Sequence, residues 1–412
     1  MSIVRNMELA DAGRLKIDWA KSYMPALKEI VSKFSVEKPF KDMTIAMSIH
    51  LEAKTANLAL ALREGGGDVK ITGCNPLSTQ DDVCAGLVSH GIDVYAWYNS
   101  TPEEYSDHLI ETLKCKPHLI LDDGGDLIAL LHGEYTELGD RLIGGTEETT
   151  TGVHRLRLRE ESGQLRFPML AVNDAMCKFL FDNRYGTGQS TWSALLHTTN
   201  MLIAGKHVVV AGFGWCGRGI AMRAKSLGAR VIITEVDPVK ALEAHMEGYE
   251  VQTMDQAAEI GDIFITVSGV SDIIVKRHME KMKDGVVLCN AGHFNREISI
   301  DDLESLSKEI CKRRPNIMGY KMSDDRWLNL IAEGRLVNIA ADNGHPIEIM
   351  DLSFAVQAEA LRYMAKHGKD MKPGVYLPPQ EIDNEVAKLK LNSLGIEIDT
   401  LTEKQNTYIE TF

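Results

Sequence analysis

The run Gly212-Phe213-Gly214-Trp215-Cys216-Gly217 constrains the fold more than any other feature of this chain. It follows an apolar strand pattern over residues 207–211 and opens a helical one. Alone, a G-x-G-x-x-G run is a weak signal, because a strand–turn–helix unit also uses glycines for packing only. Here the next strand pattern, 230–234, ends on Glu235, roughly 20 residues on, which completes the dinucleotide-binding fingerprint. The glycines allow a tight turn and the close approach of a pyrophosphate to a helix N-terminus. A carboxylate at 235 accepts hydrogen bonds from ribose hydroxyls and repels a 2′-phosphate, so NAD is expected rather than NADP. Lys240 softens that exclusion only if it turns toward the ribose; a solvated helix position is the simpler reading.

Other stretches alternate strand and helix. Upstream, strands are expected at 44–49, 69–72, 93–97 and 118–121, with helices at 52–63, 79–90 (opened by Ser78 as N-cap) and 102–113. Downstream, strands are expected at 263–267 and 285–289, with 336–340 a further candidate. A helix is expected over 351–367, and an amphipathic tail from Gln380 is suited to packing on a neighbour. Such alternation implies an α/β fold: a doubly wound parallel-sheet domain, a Rossmann NAD-binding domain and a short C-terminal arm. Ligands of such sheets bind beyond the carboxyl ends of the strands. That singles out His50, Asn75, Tyr98 and the run Asp122 to Asp126.

Length and charge narrow the class. At about 150 residues per domain, 412 residues make two or three domains. The 45 basic and 59 acidic residues leave a formal charge of −14, whose field repels nucleic acid and anionic membranes. Seven scattered cysteines with no C-x-x-C pair fit a reducing cytoplasm and no structural zinc. No signal peptide or membrane span is expected, and Asp122 to Asp126 lacks the fuller spacing of a calcium loop. No metal site is expected.

A second cluster lies outside the glycine turn. Glu147-Glu148-Thr149-Thr150-Thr151-Gly152 concentrates acids and hydroxyls, and Asn173, Lys178, Asp182 and Asn183 follow. Lys178 and Asp182 have i, i+4 spacing and share a face on a helix. As an exposed ion pair they would be ordinary. A buried Lys with a lowered pKa would instead act on a hydroxyl proton. His50, His293 and His345 each follow strand or glycine signals; singly, each reads equally as a structural histidine.

Together these segments resemble the adenosylhomocysteinase family over nearly the whole chain. The matching runs include Ile49-His50-Leu51, Asn75-Pro76-Leu77-Ser78-Thr79-Gln80-Asp81, Leu121-Asp122-Asp123-Gly124-Gly125-Asp126 and Phe181-Asp182-Asn183. Glu147 to His154, the glycine turn, Asn290-Ala291-Gly292-His293-Phe294 and Gly334-Arg335-Leu336-Val337-Asn338 complete the set.

The resemblance implies reversible hydrolysis of a nucleosyl–homocysteine thioether by catalytic, tightly bound NAD, one per subunit. The ribose 3′-OH is oxidised, the C4′ proton is removed, homocysteine leaves C5′, water adds and the ketone is reduced. By resemblance, Asp123 is the base at C4′ and His50 the acid for the thiol. Lys178, Asp182 and Asn183 serve the 3′-OH, and His293 joins nicotinamide and sugar. Glu148 binds the ribose, and His345 gates the hinge. Glu52, Lys54 and Thr55 face the purine edge, while Met350 and Phe354 wall the base. Thr149, Thr150, Thr151, Asn183, Gly212, Gly214, Gly217, Glu235 and Asn338 contact NAD. A cytoplasmic homotetramer is implied, binding only small molecules: nucleosyl-homocysteine, homocysteine, inosine or adenosine. Residues 1–185 with 346–376 form the substrate domain, 186–345 the NAD domain and 377–412 the arm, with hinges near 185 and 345.

The departures matter. Thr187 stands where many members have Cys, so a thiol is not expected there. The chain ends before a stretch by which many members clamp a neighbour's NAD. After His50, many members carry Thr and Glu or Gln; here the run is Leu51-Glu52-Ala53-Lys54-Thr55, and Asn343 replaces Met. A carboxylate suits the N1–H of hypoxanthine and an ammonium its O6, whereas adenine offers the reverse pattern. This points to S-inosyl-L-homocysteine, as in methanogen members of the archaeal branch. S-adenosyl-L-homocysteine stays open, with Glu52 then a helix-terminal charge and Lys54 solvated. A plain NAD dehydrogenase would leave Asp123 and His50 idle. A catalytically dead nucleoside-binding homologue would have lost polar groups that are all present here.

Overall fold

The computed structural model describes residues 2–411. Fifteen strands form two sheets among these residues. The first holds β1 (Thr44–Ser48), β2 (Asp68–Thr72), β3 (Asp93–Val94), β4 (Leu119–Asp122), β5 (Gly144–Glu147) and β6 (Pro168–Ala171). The second holds β7 (His207–Ala211), β8 (Arg230–Thr234), β9 (Glu250–Val251), β10 (Ile263–Thr266), β11 (Val286–Asn290), β12 (Ser307–Arg314), β13 (Ile317–Met322) and β14 (Trp327–Ile331). The chain then returns to the first sheet through the helix Ile347–His367 and β15 (Gly374–Tyr376), which pairs with β6.

Both sheets are wound the same way. The first runs β3-β2-β1-β4-β5-β6-β15, all parallel. The second runs β9-β8-β7-β10-β11-β14 in parallel, and β13 and β12 continue it antiparallel. The order reverses between β1 and β4 in one sheet and between β7 and β10 in the other. At such a switch point the outgoing loops part and leave a crevice at the carboxyl edge. His50 and Asp123 leave the first switch point, and the glycine turn leaves the second. The strands beside these points are apolar and buried, as fully covered parallel strands require.

The far end of the chain is tied to the near end. Buried Asp351, on the helix Ile347–His367, accepts from the amides of Ala26 and Leu27 and from Lys390 Nζ. These caps hold the helices Pro25–Glu37 and Gln380–Ser393 against it. The tail helix Gln380–Ser393 therefore packs on its own chain, burying Ile382 and Val386. Beyond it the residues are exposed, through a last helix, Glu403–Thr411.

Some expectations fail for definite reasons. Residues 336–340 are not a strand. Only Leu336 bridges β11, and Val337–Ala340 turns helical, because β14 already occupies the place beside β11. Short apolar runs of this kind suit either state. Ser78 caps nothing: the helix is Asp81–Ser89, with Gln80 at its N-cap position. The strand expected at 93–97 stops at Val94, where Tyr95 bridges Ile3. β5 and β6 were not foreseen. The sequence Gly144-Gly145-Thr146-Glu147 reads as a turn, yet a Cβ at Gly145 would lie 2.5 Å from the Ile120 carbonyl of β4. Glycine is what lets these strands approach.

Candidate active site

A cavity of 1320 Å³ opens where the carboxyl edges of the two sheets meet. Its wall includes His50, Asp123, Lys178, Asp182, Asn183 and His293, together with Glu52, Lys54, Thr55, Glu148, His345, Met350 and Phe354. Thr149, Thr150, Thr151, Gly212, Gly214, Glu235 and Asn338 line it as well. Gly217 does not. A Cβ there would meet the Gly212 carbonyl at 2.0 Å, so this glycine serves helix-on-strand packing. Asn75 and Tyr98 also lie outside this wall.

One end holds an acid–base pair. His50 Nε2 lies 3.9 Å from Asp123 Oδ2. Asp123 Oδ1 is buried with no partner, and Oδ2 accepts from Cys74 Sγ at 3.4 Å. Burial pushes the His50 pKa down, Asp123 opposing and His293 and His345 assisting. His50, Cys74 and Asp123 bring ligand-type atoms within 4.8 Å of one another, although the sequence offered no metal motif. The run Asp122 to Asp126 is no cation loop. Asp122 accepts backbone N–H groups of Asp123 and Ile128, while Asp126 pairs with Arg155 and Tyr105.

The second cluster is built by a π-helical segment, Phe179–Gly186. The wider turn of this form puts positions i+4 and i+5 from Lys178 on one face. Lys178 Nζ donates to Asn183 Oδ1 at 2.8 Å and lies 3.5 Å from both Asp182 and Glu148. Asp182 accepts from Ser353 and pairs with His345, and Glu148 accepts from Gln357. Asn183 donates to Asn173.

The expected lowering of the Lys178 pKa is overturned. Burial pushes it down, but Asp182 and Glu148 more than offset that and hold it above the ordinary lysine value. Burial raises Asp182, yet Lys178 and His345 bring it well below the usual carboxylate range. Glu148 goes the other way, to about 8, through burial and the Asp182 charge against the opposing Lys178. The cluster thus holds one firm carboxylate, one ammonium and one carboxyl that keeps its proton near neutral pH.

The other end suits a dinucleotide. Gly212 takes φ +110°, and a Cβ at Gly214 would meet nothing within 4 Å, so that surface is open to a ligand. Glu235 accepts from the amides of Phe213, Val236 and Asp237. Asn338 Nδ2 is held by Ser190, leaving its buried Oδ1 without a partner. Thr149 caps the helix Thr150–Glu161, and Thr150 reaches Asn173. An open glycine surface, a carboxylate at a strand end and an orphan amide oxygen together fit NAD. Lys240 is half exposed and pairs with Asp237. Gly214→Val is expected to keep the apo thermal midpoint and weaken NAD binding by roughly tenfold or more, since the added side chain fills the pyrophosphate approach. Titration of apoprotein with NAD checks this.

Three further readings change. A thiol is present beside Thr187 after all: Cys216 Sγ, from the glycine turn, lies 3.6 Å from Thr187 Oγ1. Lys54 is not solvated. It is 6% exposed, 3.0 Å from Glu52 Oε2, and donates to the Asn343 carbonyl. The Asn343 side chain turns away to Asp342, so only its backbone faces Lys54. Glu52 also caps the helix Ala53–Glu64 through the amides of Lys54 and Thr55.

Sequence reasoning missed Ser353 and Gln357. Their spacing with Met350 and Phe354, at 350, 353, 354 and 357, is one helical face and was the signal available. It also missed Cys74 and the actual role of Ser78.

Comparison with known proteins agrees with this geometry. The family model described as S-adenosyl-L-homocysteine hydrolase matches residues 2–137. Its companion, S-adenosyl-L-homocysteine hydrolase, NAD binding domain, matches residues 183–344. The chain is 54% identical to S-inosyl-L-homocysteine hydrolase of Methanocaldococcus jannaschii, over 99% of this chain and 98% of that one. It is 53% identical to the enzyme of the same name from Methanopyrus kandleri, over 99% and 97%. It is equally 53% identical to adenosylhomocysteinase of Pyrococcus abyssi, over 99% and 97%.

Proposed function

The chain belongs to the S-adenosyl-L-homocysteine hydrolase family and is an NAD-using hydrolase of that type; from this premise we propose that its substrate is S-inosyl-L-homocysteine. The observation that carries this is the buried Glu52–Lys54 pair on the cavity wall. A hypoxanthine edge offers N1–H to the carboxylate and O6 to the ammonium. An adenine edge would oppose donor to donor and acceptor to acceptor, leaving buried groups unpaired. One fact favours the alternative, S-adenosyl-L-homocysteine: Glu52 already accepts from two amides as a helix cap. A carboxylate has about four acceptor sites, so capping leaves room for a base N–H.

The proposed mechanism assigns steps to this chain's residues. Gly212, Gly214, Glu235 and Asn338 would hold NAD, which when bound would supply the ring that accepts hydride from C3′. Lys178, held by Asn183, binds O3′; its neutral amine form, which Asp182 and Glu148 oppose, takes the O3′ proton as hydride leaves C3′ and returns it when the ketone is reduced. Asp123, whose free Oδ1 faces no other partner, removes the C4′ proton acidified by the 3′-ketone. That proton has a 3.9 Å path from Asp123 Oδ2 to His50 Nε2, and from there to the departing sulfur. The net elimination moves one proton from C4′ to homocysteine. Hydration runs the path backward: water adds at C5′, His50 takes its proton, and C4′ is reprotonated. His293 stands with its ring centroid 6.1 Å from that of His50, on the cavity wall beside this path, where with substrate bound it would help keep bulk water from the ketone.

Steady-state kinetics with both thioethers test the substrate. The inosyl compound is expected to have the higher kcat/KM by roughly tenfold or more. Equal or better values for the adenosyl compound would overturn the assignment. Turnover without added NAD and without net reduction of cofactor separates hydrolase from dehydrogenase.

The proposed assembly is a cytoplasmic homotetramer with one tightly bound NAD per subunit. The substrate lobe comprises 1–185 and 346–376, the NAD lobe 186–345 and the arm 377–412. Exposed Leu394, Ile396, Ile398 and Leu401 support a subunit contact along the arm. No helix among the described residues is long and apolar enough to cross a membrane.

A further inference from the structure

We propose that Ser78 is a positioning residue that keeps a proton on Nδ1 of His50, so that all proton transfer by this imidazole runs through Nε2 into the cavity. The proposal rests on the relay just described between Asp123, His50 and the leaving sulfur.

Ser78 is buried on the loop between β2 and the helix Asp81–Ser89. Its Oγ lies 2.7 Å from His50 Nδ1 and 2.9 Å from the Asn75 carbonyl. A carbonyl oxygen only accepts, and a serine hydroxyl has one proton. With that proton directed to Asn75, the lone pairs of Oγ face Nδ1, and only an N–H on Nδ1 satisfies them. The tautomer of a histidine is set in this way by the partner of its other nitrogen.

The surroundings fix this arrangement from both sides. Asn75 Oδ1 accepts the Leu77 amide, and the Asn75 carbonyl also accepts the Ser78 amide, which closes the loop into a tight turn. The Gln80 amide donates to the Leu51 carbonyl, tying the loop to the exit of β1. Thr55 Oγ1 donates to the His50 carbonyl at 2.6 Å, so the imidazole's own backbone is held. A Cβ at Gly73 would come within 2.3 Å of Thr79 Oγ1, so the loop admits no side chain there.

The chemistry needs this tautomer. A relay at Nε2 begins with a lone pair there, to accept the proton that Asp123 takes from C4′. The resulting imidazolium donates that proton to the departing sulfur and returns to the Nδ1–H form. Throughout, Nδ1–H keeps donating to Ser78, so nothing on that side reorganises. Without Ser78, the Asp123 carboxylate would favour an N–H on Nε2, and the relay would start blocked. The other charged or titratable groups around His50 are Cys74, Glu52, His293 and His345. None of them is hydrogen-bonded to Nδ1.

The test uses full-length, NAD-loaded protein and the variants Ser78→Ala and Ser78→Thr. Ser78→Ala is expected to lose roughly a hundredfold in turnover while the reduced-nicotinamide signal on adding substrate stays at wild-type rate. Ser78→Thr should recover most of the loss. Nitrogen NMR of histidine-labelled wild type, with His50 identified by its loss in His50→Gln, should place the neutral-state proton on Nδ1, and on Nε2 in Ser78→Ala. A wild-type proton on Nε2, or Ser78→Ala turnover within twofold of wild type, would overturn the proposal. If Ser78→Ala does not fold, the wild-type spectrum decides alone. Failure of the relay reading shows up separately, as near wild-type turnover in His50→Gln.

Discussion

Lys178→Met is expected to abolish formation of the 3′-ketone, so that adding substrate produces no reduced-nicotinamide absorbance and turnover falls by roughly 10³-fold or more. Methionine keeps the volume of the lysine stem and removes only the ammonium. In the proposed mechanism that ammonium is the group that binds O3′, and it lies 3.5 Å from both Asp182 and Glu148. The same substitution has a stability readout. Removing one partner of a buried ion pair costs about 3–5 kcal/mol where the remaining charge stays uncompensated. Here part of that cost is avoided, because Glu148 already keeps its proton up to about 8 and loses its main opposing influence with Lys178. A carboxyl whose folded pKa is raised contributes stability that is full below its unfolded pKa and lost as pH rises through its folded pKa. Both proteins share the loss up to about pH 8, so the variant's thermal midpoint should fall relative to wild type as pH rises above about 8, where only the variant still holds the Glu148 proton. Strong absorbance on substrate addition would remove Lys178 from the oxidation step, and a pH-independent difference in midpoint would remove Glu148 from the explanation.

What the sequence disclosed and what it concealed follow from how many elements a feature spans. The glycine turn and Glu235 belong to one strand–turn–helix–strand unit, so spacing alone located them. Lys178 and Asp182 are a turn apart and were visible as a pair. The sign of the Lys178 shift was not visible, because it is set by burial against Asp182 and Glu148 together, and Glu148 arrives just after β5, a short strand of glycines and polar residues. Ser353 and Gln357 come from a helix that rejoins the first sheet after the whole second sheet has been built. Ser78 misled for a local reason. In Ser78-Thr79-Gln80-Asp81 several residues suit a helix cap, and which one takes it depends on where the first turn closes. For Lys54 the sequence favoured a place at the base edge but left a solvated helix position open; that it is covered depends on the Asn343 carbonyl, 289 residues away in the chain.

Asp123→Asn should give the opposite signature to Lys178→Met: reduced nicotinamide forms on adding substrate and accumulates, while release of homocysteine slows by roughly 10²–10⁴-fold. The oxidation cluster of Lys178, Asp182, Glu148 and Asn183 keeps its hydrogen bonds, since Asp123 bonds to none of them, and loses only the lesser influence of the Asp123 charge on Lys178 and Glu148. The elimination step loses its base, because an amide at 123 has no carboxylate oxygen to take the C4′ proton. It also loses the charge that supports a proton on His50, whose pKa burial already pushes down. Both ends of the C4′-to-sulfur path therefore fail together, and the oxidised substrate is trapped between the two half-reactions. The two variants form a crossed pair: one blocks before the ketone, the other after it. Stopped-flow absorbance paired with a thiol assay for homocysteine reads both steps in one experiment. Homocysteine release at the wild-type rate from Asp123→Asn would show that another group takes the C4′ proton. Absence of the absorbance signal in this variant would mean that the two clusters are coupled, and that the switch-point residues of the first sheet act before oxidation rather than after it.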